Sequence, residues 1–99
     1  MATSSTSSTG RKSNITNAAE RLTETNLKAN QGVQIYAASG NSNTIYIGTS
    51  SGVTADTSDL TDGFPLAAGE SILFPVRSPQ DIWVIASAAG SDKLWFLVV

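Results

Sequence analysis

Residues 92-DKLWFLVV-99 place two charged residues ahead of six consecutive apolar side chains. A membrane-spanning helix needs about twenty such residues, so this run is far too short to cross a bilayer. Its aromatic and β-branched content at this length predicts a buried strand. Alternation puts Lys93, Trp95, Leu97 and Val99 on one side, and Leu94, Phe96 and Val98 on the other. A small domain hides one such face in its own core. The second face demands another layer or another chain.

Working back from this strand, the same texture repeats at intervals of about ten residues, the spacing of a sandwich or barrel. Candidate strands are Val33–Ala38, Thr44–Gly48, Gly52–Ala55, Phe64–Leu66, Ser71–Val76, Asp81–Ser87 and Lys93–Val99. Turn-forming clusters separate them, such as SGNSN at 39–43, AAGE at 67–70 and AAGSD at 88–92. In TIYIG the alternating Ile45 and Ile47 point to the core, with Thr44 and Tyr46 opposite. The predicted class is all-β: a small antiparallel β-sandwich or jelly-roll-like barrel of about 6–8 short strands.

The first thirty residues read differently. MATSSTSSTG at 1–10 is a low-complexity tract, and the stretch from Asn14 to Ala29 is thin in apolar residues. Asn17 followed by Glu20 has the form of a helix-capping box, yet Glu20 and Glu24 repel at helical spacing. An extended arm over residues 1–30 is therefore expected, with the sandwich body over 31–99. Charge divides at the same boundary. Residues 1–30 hold four basic and two acidic side chains, a balance of +2, while 31–99 hold two basic and six acidic, a balance of −4. A body of this size, 31–99, buries only about 60% of its unfolded surface and is marginal alone, which makes oligomerisation the expected remedy.

Catalytic and ligand chemistry finds few carriers. The chain has no His and no Cys, which removes Ser–His and Cys–His nucleophiles, disulfides and thiolate metal sites. Asp56, Asp59 and Asp62 in VTADTSDLTDG hold the oxygen ligands calcium prefers, but the spacing fails the EF-hand pattern and aspartate caps turns routinely. None of the eight glycines falls in a phosphate-binding spacing. A formal net charge of −2 gives no electrostatic case for nucleic acid as a partner, and Arg11–Lys12 alone makes only weak salt-dependent contacts. NIT at 14–16 matches a glycosylation acceptor, and no secretory leader precedes it, so it reads as incidental. Tyr36, Tyr46, Trp83 and Trp95 could form a sugar-stacking platform, although Trp83 and Trp95 lie in apolar runs where burial is the default. No enzyme, cofactor or metal site is expected, and no membrane partner.

The segments NTIYIGTSSGVTADTSDLTDGFPLAAGESILFPV (43–76) and DIWVIASAAGSDKLWFLVV (81–99) resemble small virion proteins of tailed bacteriophages, of the head decoration (cement) type. The likeness lies in an IYIG strand, the order VT then GFPLAAGES, and the final IAS segment, with TSDLTD (57–62) as an insertion. Within it Gly63 permits a turn, Phe64 and Leu66 anchor in the core, Pro65 needs an edge or a strand start, and Gly69 takes positive φ.

The resemblance implies a non-enzymatic protein of the virion, assembled in the host cytoplasm. It would bind the major capsid protein on the outer head surface and form a homo-oligomer, with a trimer expected. On this reading Arg11, Lys12, Ile15, Arg21, Leu22 and Leu27 of the arm touch the capsid, and Trp95, Phe96 and Leu97 mediate self-association. The alternatives are a neck, tail or head-fibre component and a carbohydrate-binding adhesin module.

Overall fold

A computed structural model describes residues 8–55 and 62–99. Eight strands run in chain order: β1 (Ser8–Ile15), β2 (Glu20–Arg21), β3 (Val33–Ala37), β4 (Ile45–Gly48), β5 (Phe64–Leu66), β6 (Ser71–Phe74), β7 (Trp83–Ala86) and β8 (Asp92–Val98). They form two four-stranded antiparallel sheets, ordered β1-β8-β3-β6 and β2-β7-β4-β5. First pairs with last, second with seventh, third with sixth and fourth with fifth. This nested pairing, rolled up so that β8 also meets β3 and β7 also meets β4, is the winding of a jelly roll. The predicted sandwich class therefore holds.

Alternation in the polar–apolar pattern sets which face is buried. Asp92, Leu94, Phe96 and Val98 of β8 point inward while Lys93, Trp95 and Leu97 point out. Val33, Ile35 and Ala37 of β3 lie beside them on the same face, and Ile45, Ile47, Leu66, Val84 and Ala86 come from the second sheet into the same core. Phe96 lies against β1 at Gly10, where an added Cβ would sit 2.4 Å from its ring. The absence of a side chain there is what lets the ring pack. Gly32, at φ 148°, would bring a Cβ within 2.2 Å of the Phe74 carbonyl oxygen, so this crossover into β3 admits only glycine.

The expected arm is a correction. Residues 8–30 are woven into the body: β1 pairs with β8 from Ser8↔Val98 to Ile15↔Asp92, and β2 pairs with β7. Ile15, Leu22 and Ala29 are core residues, and Leu27 packs against that core. Main-chain bonds fix what lies between: Leu22 N–H donates to Ile82 O at 2.8 Å, Ala29 N–H to Arg77 O at 2.8 Å, and Asn30 and Gln31 N–H both to Val99 O at 2.9 Å. Sparse apolar content misled because these edge strands are held mainly by main-chain pairing: β1, eight residues long, brings only Ile15 to the core. The capping cue at Asn17 and Glu20 also lapses, since Glu20 opens β2. The low-complexity tract over residues 1–7, and Asp56 and Asp59 of the acidic loop, lie outside the described residues.

Strand bounds differ little from expectation, with two exceptions. Gly52–Ala55 makes only an isolated bridge, Thr54 to Asp62, and the sixth predicted segment, Asp81–Ser87, starts in a 3-10 turn, Pro79–Asp81. Buried Ser78 caps that turn by accepting from Gln80 N–H at 3.2 Å, and accepts as well from Leu27 N–H at 3.2 Å. Pro65 is central in β5, an edge strand where a missing N–H is tolerated, and Gly69 has φ 83°. Phe64, by contrast, is 51% exposed rather than anchored in the core. It sits at the rim, edge-on to Phe74 of β6 at 6.3 Å between ring centres. That pair bridges the two sheets along one flank of the sandwich. The Lys12–Glu20 ion pair, 3.8 Å between β1 and β2, bridges them along the other.

The one buried carboxylate among the described residues is Asp92, 2% exposed. Its Oδ1 accepts from Ser42 N–H at 2.8 Å and Asn43 N–H at 3.3 Å, and its Oδ2 accepts from Asn43 Nδ2 at 2.8 Å. The side chain thus ties the loop before β4 to the start of β8. Asp92→Ala strands these donors and is expected to lower unfolding stability by about 2 kcal/mol, readable as a shifted urea midpoint. Deleting residues 1–30 removes β1, β2 and three core side chains. Circular dichroism of that truncation is expected to show an unfolded or aggregated chain, whereas a detachable arm would leave a folded body.

Candidate docking surface

The outer face of the β1-β8-β3-β6 sheet gathers most of the large apolar side chains that the described residues expose. Register places Arg11, Trp95, Tyr36 and Ser71 in one row across the four strands, and Thr9, Leu97, Gln34 and Leu73 in the next. Trp95 is 44% exposed, Tyr36 39% and Leu73 43%, with Leu97 half-buried beside them. The reason lies in the alternation already described. Each strand gives its odd-numbered or even-numbered set to the core, and here the opposite set carries Trp95, Leu97, Tyr36 and Leu73 among polar residues.

Two recesses follow the seam between β8 and β3, both lined by Trp95 and Tyr36. One, of about 220 Å³, extends over Thr9, Gly10, Gln34, Phe96 and Leu97. The other, of about 470 Å³, runs toward the loops and is lined by Ala38, Ser39, Gly40, Asn41, Ser91 and Lys93. Asn41 is fixed there by a two-way clasp with Lys93: its Nδ2 donates to Lys93 O at 2.9 Å and its Oδ1 accepts from Lys93 N–H at 2.9 Å. The seam is thus apolar at one end and polar at the other, with no carboxylate lining either recess.

The residues expected at contacts separate into groups. Arg11 lies over the Trp95 ring at 5.3 Å, and Arg21 over the Trp83 ring at 5.1 Å, on the outer faces of the two sheets. In both cases an edge strand's arginine covers a tryptophan on its neighbour, worth about 0.5–1 kcal/mol where exposed. Lys12 is occupied by Glu20. Ile15 and Leu22 are core residues at 0% and 3% exposure, so neither can touch a partner. Leu27 is half-buried against the core. Of the self-association set, Trp95 and Leu97 face out and Phe96 faces in, as alternation requires.

Tyr36 and Leu73 join the surface although neither stood among the expected contacts. The signal was present in the cross-strand rows, which need strand order before they can be read. Trp83 and Tyr46, the other candidates for a sugar platform, lie on the opposite sheet from Trp95 and Tyr36 and are half-buried, so the four aromatic residues do not form one site. Among the described residues no cluster of three or more acidic side chains is placed to hold a metal ion, and no helix is long and apolar enough to cross a membrane. Comparison with known protein families, with curated proteins and with solved structures finds no match for the chain.

Arg11→Ala is expected to uncover the Trp95 ring. Its fluorescence should shift to the red in a Trp83→Phe background, with a stability loss of about 0.5–1 kcal/mol.

Proposed function

We propose that this chain is a non-enzymatic decoration protein of a tailed-phage head, seated on the major capsid protein at the outer shell surface. The observation that carries the reading is the outer face of the β1-β8-β3-β6 sheet, where Trp95, Tyr36 and Leu73 are exposed beside half-buried Leu97 and Arg11 lies over the Trp95 ring. Contiguous exposed apolar surface of this kind marks an interaction site. Aromatic anchors backed by a rigid sheet are the side chains that dominate binding energy. The resemblance of residues 43–76 and 81–99 to head decoration proteins supplies the partner, and a jelly roll is an architecture viral structural proteins use. Fold alone does not fix function, so the weight rests on the surface.

The shell surface repeats, and a protein that binds each repeat modestly is held strongly when its copies are linked. Self-association therefore belongs to the same reading. Localisation follows from it: the virion, after assembly in the host cytoplasm.

A carbohydrate-binding module is the second reading, favoured by the seam beside Trp95 and Tyr36. There aromatic faces adjoin Ser39, Asn41, Ser91 and Lys93, a lining suited to a sugar's apolar face and hydroxyl rim.

Co-sedimentation with undecorated heads of the phage that encodes the chain separates these. The wild type is expected to bind with on the order of hundreds of copies per particle, against about a dozen or fewer for a neck or tail position. Replacing Trp95 and Tyr36 together by Ser should leave the circular dichroism unchanged and weaken binding roughly 100-fold. Undiminished binding by that variant would remove the sheet face from the reading. A wild type that ignores heads but binds glycans on an array would replace it with the second.

A further inference from the structure

We infer that β6 is an open sheet edge through which two copies of this chain pair antiparallel about a two-fold axis, joining their outer sheets into one continuous surface. Each sheet has two edges, and three of the four carry devices that discourage pairing. Strand β1 bears Arg11 and Lys12 and loses register between Lys12 and Ile15, where Asn14 has φ 55°. Strand β2 is two residues long and charged at both. Strand β5 has Pro65 at its centre. Charge, bulges, brevity and proline are the usual protections of an exposed edge. Within β6 itself none is present: Ser71, Ile72, Leu73 and Phe74 are uncharged, and Pro75, which has the outward parity, comes one position after its end.

Its hydrogen-bonding groups point the right way. In an antiparallel pair, alternate residues bond to the neighbour and those between face away. Ala38 N–H donates to Lys93 O at 3.2 Å, and Gly32 N–H and Val99 N–H exchange with each other's carbonyls, so the even-numbered residues of β3 bond to β8. Its odd-numbered residues bond to β6, as Ala37 N–H shows by donating to Glu70 O at 2.8 Å. The register Ile35↔Ile72 and Val33↔Phe74 then commits the main chain of Ile72 and Phe74 inward. The N–H and C=O of Leu73 and Ser71 are left at the free edge.

A second copy fits this edge better than an arbitrary strand because the edge is self-complementary. With Leu73 opposite its own mate on the two-fold, each Leu73 N–H donates to the other's carbonyl, and each Ser71 N–H faces the Pro75 carbonyl of the other copy, while Pro75 has no N–H to return to Ser71. Side-chain parity is kept: Leu73 meets Leu73 on the outer face, where it is now 43% exposed, and Ile72 meets Phe74 on the inner face. The groove of about 660 Å³ between β5 and β6, lined by Phe64, Leu66 and Ile72 among others, opens on this edge and receives those inner side chains. The axis stands perpendicular to the sheet, so both copies turn their Trp95 and Tyr36 to the same side. This gives two-fold symmetry in place of the trimer that the resemblance implies. It stands on the chemistry of the edge and does not depend on head binding.

The test uses the full chain alone, by sedimentation equilibrium over a wide concentration range with amide hydrogen exchange read at residue level. Expected is a reversible dimer in which the Ser71 and Leu73 amides are protected, with protection lost on dilution. Leu73→Pro removes the outward N–H and the leucine side chain while leaving the bonds from Ile72 and Phe74 to β3, and is expected to give a folded monomer. Leu73→Lys sets like charges face to face and should weaken pairing roughly tenfold or more. A wild type that stays a single chain at all concentrations, a three-fold assembly, or a dimer whose edge amides exchange freely or that survives both substitutions would each overturn the inference.

Discussion

The pairing of β1 with β8 is the contact on which the remaining structure rests. Strand β8 lies between β1 and β3 and carries Leu94, Phe96 and Val98 into the centre of the core. Without β1 it would be an open edge, and the ring of Phe96 would lose the bare backbone of Gly10 that it packs against. The same pairing delivers Ile15 to the core and starts the crossover that places β2 in the other sheet. The flank contacts, Lys12 with Glu20 and Phe64 with Phe74, then close a sandwich whose layers are already set.

The class of fold could be read from residues 33–99 because each strand there carries its own alternation. Ile45 and Ile47, or Leu94, Phe96 and Val98, announce a buried face without reference to any partner. Residues 8–30 carry no such local signal. Gly10 earns its place through Phe96, more than eighty positions away in sequence, and Ile15 and Leu22 are isolated apolar residues in polar surroundings. A strand that brings a single core residue looks like an arm until its partner is known. The docking surface was half legible for a similar reason: Trp95 and Leu97 follow from the alternation of one strand, whereas Tyr36 and Leu73 require the strand order β8-β3-β6.

Asp92 is occupied in holding a loop, and the largest gathering of exposed apolar side chains among the described residues is the outer face of the β1-β8-β3-β6 sheet. The two arginine–tryptophan pairs add to this. Each covers an indole that would otherwise stand bare, on the strand that an edge strand must hold. Cover of the indole rings and edge protection are thus served by the same side chains.

Nested strand order has a consequence for synthesis. Strand β1 leaves the ribosome first, yet its partner β8 is made after all the other strands, and the hairpin of β4 and β5 is the innermost pair. Such a chain has nearly all its contacts at long sequence separation and folds slowly for that reason. Strand β1 must wait as nascent polypeptide until translation has passed residue 98, whereas β3 and β2 can meet β6 and β7 sooner. Charged and polar side chains spaced along residues 11–30 suit a segment that has to remain soluble during that wait.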